Sequence, residues 1–238
     1  KYMQQFTNPI CQSMSTGETM DLIDPRGENK EDFQTYTIVK LKDNRCWMQQ
    51  NLKLNATSDT GLALTSNDTN ITGNWTLPKT LVGSGTSVSG WTNNNTKPYS
   101  ATFNNATYGT YYNWCAATAG TCASATSGGQ VASGSICPKG WHLPSGGGSG
   151  TSGTGEFGTL LNGLNMSTIT ASPYLFPAAG LVNNGTFLGA SSDGFYWSRT
   201  ARSDTNAYRL YFHSSYFAPG TDIYHRYLGY SVRCVADF

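Results

Sequence analysis

Charge is scarce in this sequence. Asp, Glu, Lys and Arg make up 12% of 238 residues, about half of the roughly 25% usual in soluble domains. Neither sign prevails, since 15 Lys and Arg face 14 Asp and Glu for a net charge of +1. Long-range attraction to nucleic acid or to an anionic membrane surface requires a basic stripe, so neither is expected as a partner. No apolar run approaches the roughly 18 residues of a membrane-spanning helix, which sets direct membrane insertion aside. No basic-then-apolar leader stands at Lys1, and the chain reads as a soluble mature form. Sustained helical periodicity and repeats of roughly 20 to 50 residues are also missing, which argues against solenoids and propellers.

Motifs of catalysis are absent as well. There is no Gly-x-Ser-x-Gly elbow and no phosphate loop ending in Gly-Lys-Ser/Thr, and the three histidines, His142, His213 and His225, lack metal-ligand spacing. Asp193, Asp204 and Asp222 would allow an acid and base pair for glycoside hydrolysis, but scattered carboxylates in any loop-rich segment allow the same story. The 14 acids form no dense oxygen cluster for calcium. No metal, no cofactor and no enzymatic activity are expected.

What the chain does hold is 13% aromatic residues, 27 glycines and six cysteines. The aromatic content excludes a disordered chain. Cys11, Cys46, Cys115, Cys122, Cys137 and Cys234 include no Cys-x-x-Cys pair and no zinc-finger partner, so disulfides are expected. Six cysteines permit 15 connectivities, and spacing does not choose among them. Paired thiols in a charge-poor chain place the protein in an oxidising compartment, secreted or at the cell surface. Eight Asn-x-Ser/Thr tripeptides, one of them at Asn105, are read as chance in an Asn- and Thr-rich chain.

Along the chain, residues 35–41 alternate as a strand, a turn at Asp43-Asn44 leads to Cys46-Trp47-Met48, and residues 56–107 form a Thr- and Asn-rich insertion anchored by Trp75 and Trp91. The Gly/Ser tract 145–155 is expected as loop, running into a short helix at Glu156-Phe157. Ala207 to Phe212 alternates again, with Tyr208, Leu210 and Phe212 on one face and Arg209, Tyr211 and His213 on the other. The reading is a single β-rich α+β domain over 1–238, with a large irregular fraction and an N-terminal extension over 1–34.

The ordered set Cys46-Trp47-Met48-Gln49-Gln50-Asn51-Leu52, Tyr112-Asn113-Trp114, Cys137-Pro138-Lys139-Gly140-Trp141-His142-Leu143-Pro144, Tyr196-Trp197-Ser198 and Gly229-Tyr230-Ser231-Val232-Arg233-Cys234-Val235 resembles the Fibrobacter succinogenes major paralogous domain family. Members of that family look like C-type-lectin-fold relatives of the formylglycine-generating enzymes. The resemblance covers residues 35–54 and 108–236. It implies a C-type lectin fold and a Cys137–Cys234 bridge, leaving Cys115 with Cys122 and Cys11 with Cys46. His142, within a frame motif, is expected as a hydrogen-bonded structural residue.

Residues 195–235 also resemble the variable regions of diversity-generating retroelement target proteins, in which a fixed frame alternates with changeable positions. The resemblance makes Phe195, Arg199, Arg202, Asp204, Arg209, His213, Tyr216, Phe217, Asp222, Ile223, Tyr224, His225, Tyr227 and Tyr230 the candidate ligand-binding residues. Tyr and Phe among small polar neighbours are what binding surfaces use, because such rings bring contact area with few rotors to freeze. Arg202, Arg209, His213, Tyr216, Phe217, Tyr224, His225 and Tyr227 are therefore expected to be exposed on one face, with Trp197, Leu210, Phe212 and Val232 buried. The expected function is recognition of a protein or glycan on another cell, phage or host surface. A structural or adhesive surface protein, and an enzyme like the formylglycine generators or active on glycosides, are the rivals.

Overall fold

In the computed structural model, which describes residues 1–103 and 107–238, strand outweighs helix at 34% against 14%. Residues 104–106, in the expected insertion and including the Asn105 tripeptide, lie outside the described residues. No described helix exceeds the seven residues of Gly155–Leu161, and none is long and apolar enough to cross a membrane. The protein is a β-rich α+β chain built from several small sheets with no barrel.

A five-stranded antiparallel sheet joins the two ends of the chain. Its order is Thr19–Asp24, Gln34–Lys40, Cys46–Met48, Val235–Ala236 and Trp141–His142, so the C-terminal strand sits between elements from the first quarter and the middle of the sequence. Cys46–Met48, Val235–Ala236 and Trp141–His142 are buried throughout, whereas Thr19–Asp24 and the start of Gln34–Lys40 keep exposed residues. Tyr36, Ile38 and Met48 belong to the main core, whereas Val39, Trp47 and Val235 belong to a second cluster with Phe157, Leu210 and Phe212.

A second, three-stranded antiparallel meander, Gly194–Ala201, Asn206–His213 and Tyr216–His225, forms what we call the display sheet. Tyr196 pairs with Leu210, and both enter the second cluster with Phe212. Phe195 pairs with Tyr211 and Trp197 with Arg209 on the other face. Trp197, Leu210, Phe212 and Val232 are fully buried, as the alternation and the frame motifs required. The last strand bulges: Arg209 and Tyr211, two apart, oppose Asp222 and Ala218, four apart.

The Gly/Ser tract departs from expectation. It is not open loop but a small hairpin, Gly148–Ser149 with Ser152–Gly153, lying along the bulged strand. The Gly147 amide donates to the Gly220 carbonyl at 2.9 Å, and the Thr221 hydroxyl donates to the Gly150 carbonyl. Glycine is needed for this approach, since a Cβ on Gly153 would stand 2.1 Å from the Pro219 carbonyl oxygen. Glu156 and Phe157 then begin the helix Gly155–Leu161, as expected.

Among its described residues the insertion contributes only short strands, Leu62–Leu64 with Trp75–Leu77 and Leu81–Val82 beside Ser100–Thr102. Its apolar residues lean on other parts of the chain: Leu62, Leu64 and Leu77 complete the main core. Trp91, 4% exposed, joins a third cluster with Val182 and donates from Nε1 to the Tyr227 carbonyl at 3.2 Å. Trp75 is only half-buried.

All six cysteines pair as Cys11–Cys46, Cys115–Cys122 and Cys137–Cys234, and none is free. Cys137–Cys234 spans 97 residues and fastens the strand Val235–Ala236 beside Trp141–His142. Closing so long a loop restricts the unfolded chain most. The double variant C137A/C234A is expected to lose about 2–5 kcal/mol in urea unfolding, more than C115A/C122A, whose loop spans 7 residues.

Candidate binding face

One end of the display sheet does not continue into the core. There a depression of about 610 Å³ opens, within the roughly 300–1,000 Å³ of small-ligand sites. Its floor comes from the alternation at Asn206–His213, which directs Arg209, Tyr211 and His213 to one side. Tyr216, Asp222, Ile223 and Tyr224 of the bulged strand form one wall. The opposite wall is the hairpin Leu181–Asn183 with Thr186–Leu188, which contributes Leu181, Asn183 and Leu188.

The floor is organised around Arg209. Its guanidinium carbon lies 4.8 Å from the centre of the Phe195 ring, 5.0 Å from Tyr211, 4.4 Å from Tyr224 and 5.1 Å from Tyr230. Such placements are attractive because the ring faces are electron-rich. Nε donates to Asp222 Oδ2 at 2.6 Å, Nη2 reaches the same oxygen at 2.6 Å, and Nη1 donates to the Tyr230 hydroxyl. Burial pushes the Tyr230 phenol well above its ordinary value, with Arg209 opposing in part, so it stays a neutral acceptor. Phe195 stacks on Tyr211 at 4.6 Å and 10°.

These contacts correct the expected exposure of Arg209 and the placing of Phe195 and Tyr230 among residues that meet a ligand. Arg209 and Phe195 are each 5% exposed and Tyr230 is fully buried, so they support the surface from beneath. Phe217, His213 and Tyr227, also expected to be exposed, are half-buried, and Phe217 packs toward Phe212 in the second cluster, on the far face of the sheet. Tyr216, Ile223 and Tyr224 are exposed at the depression, and His213 and Asp222 are half-buried there. His225 is exposed and stacks on half-buried Tyr227 at 5.0 Å and 12°, beside Tyr224. Arg202 and Asp204 are exposed in the turn between the first two strands and do not line the depression.

Arg199 belongs to a different group. It stands 3.7 Å from Glu156, whose Oε1 meets His142 Nε2 at 2.7 Å and Arg45 at 2.9 Å. His142 Nδ1 meets Asp237 Oδ1 at 2.5 Å, and the Ser145 amide donates to Glu156 Oε2 at 2.8 Å. The cluster ties the chain terminus to the helix Gly155–Leu161, and His142 is the hydrogen-bonded residue expected of it. Burial disfavours the imidazolium, but hydrogen bonds to Asp237 and Glu156 outweigh it and raise the pKa above 6.5. Burial likewise opposes ionisation of Glu156, yet His142 and the Ser145 amide bring its carboxyl down to about 2. Among the described residues no group of three or more His, Cys, Asp or Glu is arranged to hold a metal ion.

The hairpin wall and Tyr211 line the depression although the frame motifs did not indicate them. A signal existed for the wall: Asn184-Gly185 between Leu181-Val182 and Phe187-Leu188 is a two-residue turn signature, and both turn residues have positive φ, 45° and 74°. Comparison with protein-family models, with curated proteins and with solved structures finds no match.

The ion cluster fixes a pH dependence. Glu156, with its pKa lowered from 4.5, stabilises the fold above pH 4.5 and loses that contribution as pH falls toward 2. His142, raised from 6.5, stabilises below pH 6.5 and loses that contribution as pH rises through its folded value. The gap in melting temperature between the wild type and Glu156→Gln should therefore be widest between about pH 4.5 and 6.5 and close on the acid side in scanning calorimetry.

Proposed function

We propose that the chain is an exported, non-enzymatic ligand-binding protein, a C-type-lectin-like scaffold that presents a changeable face at the end of the display sheet. One observation carries the reading. Of the eight exposed large apolar side chains among the described residues, four, Leu188, Tyr216, Ile223 and Tyr224, line this single depression. Clustered apolar exposure of that kind has a solvation cost that a monomeric protein tolerates where a ligand covers it.

The support beneath it suits a variable surface. Side chains that pack the sheet, such as Trp197 and Phe212, are separate from those that meet solvent, so the latter can change without opening a cavity. The retroelement-like frame of residues 195–235 fits this division at Tyr216, Ile223, Tyr224, His225 and Arg202 and departs from it at Phe195, Arg209 and Tyr230, which are buried. Three disulfides suit an oxidising, extracellular setting. The partner is a molecule on another cell, phage or host surface.

A display library with Tyr216, Ile223, Tyr224 and His225 randomised together, sorted against purified streptavidin, tests this. Most members should resist protease like the parent and melt within about 3 °C of it, surface changes lying within about ±0.5 kcal/mol, and streptavidin binders should be recovered. Widespread unfolding, or no binders from a folded library, would refute the reading.

A further inference from the structure

We propose that the depression takes a neutral oligosaccharide, held by tyrosine rings and hydroxyl groups and not through calcium; this rests on the binding face proposed above. The argument begins with charge. Among the described residues Arg209 and Asp222 are the only Lys, Arg, Asp or Glu side chains that line the depression, and they neutralise each other at 2.6 Å. Arg209 has no free edge, since Nε and Nη2 are taken by Asp222 and Nη1 by the Tyr230 hydroxyl. An anionic ligand would find a guanidinium that is 5% exposed and already satisfied. A cationic ligand would meet a carboxylate whose charge Arg209 already offsets, and would have to compete with Arg209 for the space among four aromatic rings.

What remains accessible is apolar area interleaved with uncharged polar groups. Tyr216 and Tyr224 are 41% and 46% exposed, and neither phenol bonds to a described residue. The Asn183 side-chain amide on the facing wall is likewise unbonded. Asp222 receives Arg209 at Oδ2 alone, which leaves Oδ1 to accept a hydroxyl. Ligand C–H groups, which carry partial positive charge, lie well on electron-rich ring faces, while ligand hydroxyls pair with the phenols, the amide and the carboxylate. A sugar ring presents both kinds of group on one rigid body. The rings are held before binding: Tyr224 by Arg209 at 4.4 Å, and Tyr216 by Tyr211 at 5.3 Å and His213 at 5.9 Å. Little conformational freedom is then lost on association.

The test uses the full chain on one array of neutral, sialylated and sulfated oligosaccharides, read with calcium and with EDTA. Binding to neutral members that is unchanged in EDTA and at least about tenfold weaker for Y216A/Y224A, at an unaltered melting temperature, is the expected result. The variant Y216F/Y224F, which keeps the rings and removes the hydroxyls, should fall between the two. Binding confined to sialylated or sulfated members, loss in EDTA, or full binding by Y216A/Y224A would each overturn the proposal. Silence across the array while the library still yields streptavidin binders would overturn the sugar class and leave the binding face standing. Silence together with a failed library would remove both.

Discussion

A chain with this much irregular backbone inside it must find donors for buried carbonyl oxygens that no helix or ladder satisfies, and here arginine supplies them. Arg233, without exposure, donates to the carbonyls of Met48, Tyr174 and Leu175 and to Asn51 Oδ1 while lying 4.2 Å over Phe176. Arg226 donates to the carbonyls of Cys122, Ala125 and Asn206 and lies 4.1 Å over Trp114. Among the described residues neither forms a salt bridge, and burial lowers each to about 10, with Asp204 opposing in part at Arg226. Both stay charged at neutral pH, and their planar forks fit several oxygens at once, which a lysine in the same place would not do. Arg26 follows the same plan with Asp24 as counter-charge and the Ile136 carbonyl as acceptor at 2.6 Å.

The same chemistry shapes the binding face with a different purpose. Arg226 and Arg233 bind loops together across more than fifty residues of sequence, whereas Arg209 binds rings together within one sheet. Asp222 makes the difference, since with its charge offset Arg209 sits just beneath solvent without drawing ions to it. Cation and rings together form a floor that is rigid and close to neutral. The disulfide Cys137–Cys234 and the Arg233 contacts fix the strand that follows the display sheet, so the floor rests on the five-stranded sheet and its core.

Local alternation was enough to read which residues of Asn206–His213 share a face, because a strand's period of two is written in consecutive residues. It was not enough to read what covers that face. Phe195, Arg209, Tyr211 and Tyr230 lie on the side that reaches solvent at one end and the main core at the other, and where the change occurs depends on a wall from residues 181–188. The cysteine pairing came from family resemblance alone, since spacing left every connectivity open. Gly148 to Gly153 read as loop because glycine and serine carry no alternation, while the reason for their order, backbone lying against the backbone of Pro219 and Gly220, is tertiary.

This placement limits how much of residues 195–235 is free to change. The display sheet is closed on its far face by Phe157, Phe176 and Phe217, and along half of its near face by Trp197 and its neighbours in the main core. Substitution at Phe195, Arg209 or Tyr230 would disturb the stacked floor, because each touches at least two of the others or their shared ring neighbours. Exposed side chains of this segment include Tyr216, Ile223 and Tyr224 at the depression, His225 beside them, and Arg202 and Asp204 in a separate turn. A ligand that engages the depression meets few alterable side chains on a fixed aromatic base. Selectivity and affinity then both depend on rim side chains that the buried floor holds in place.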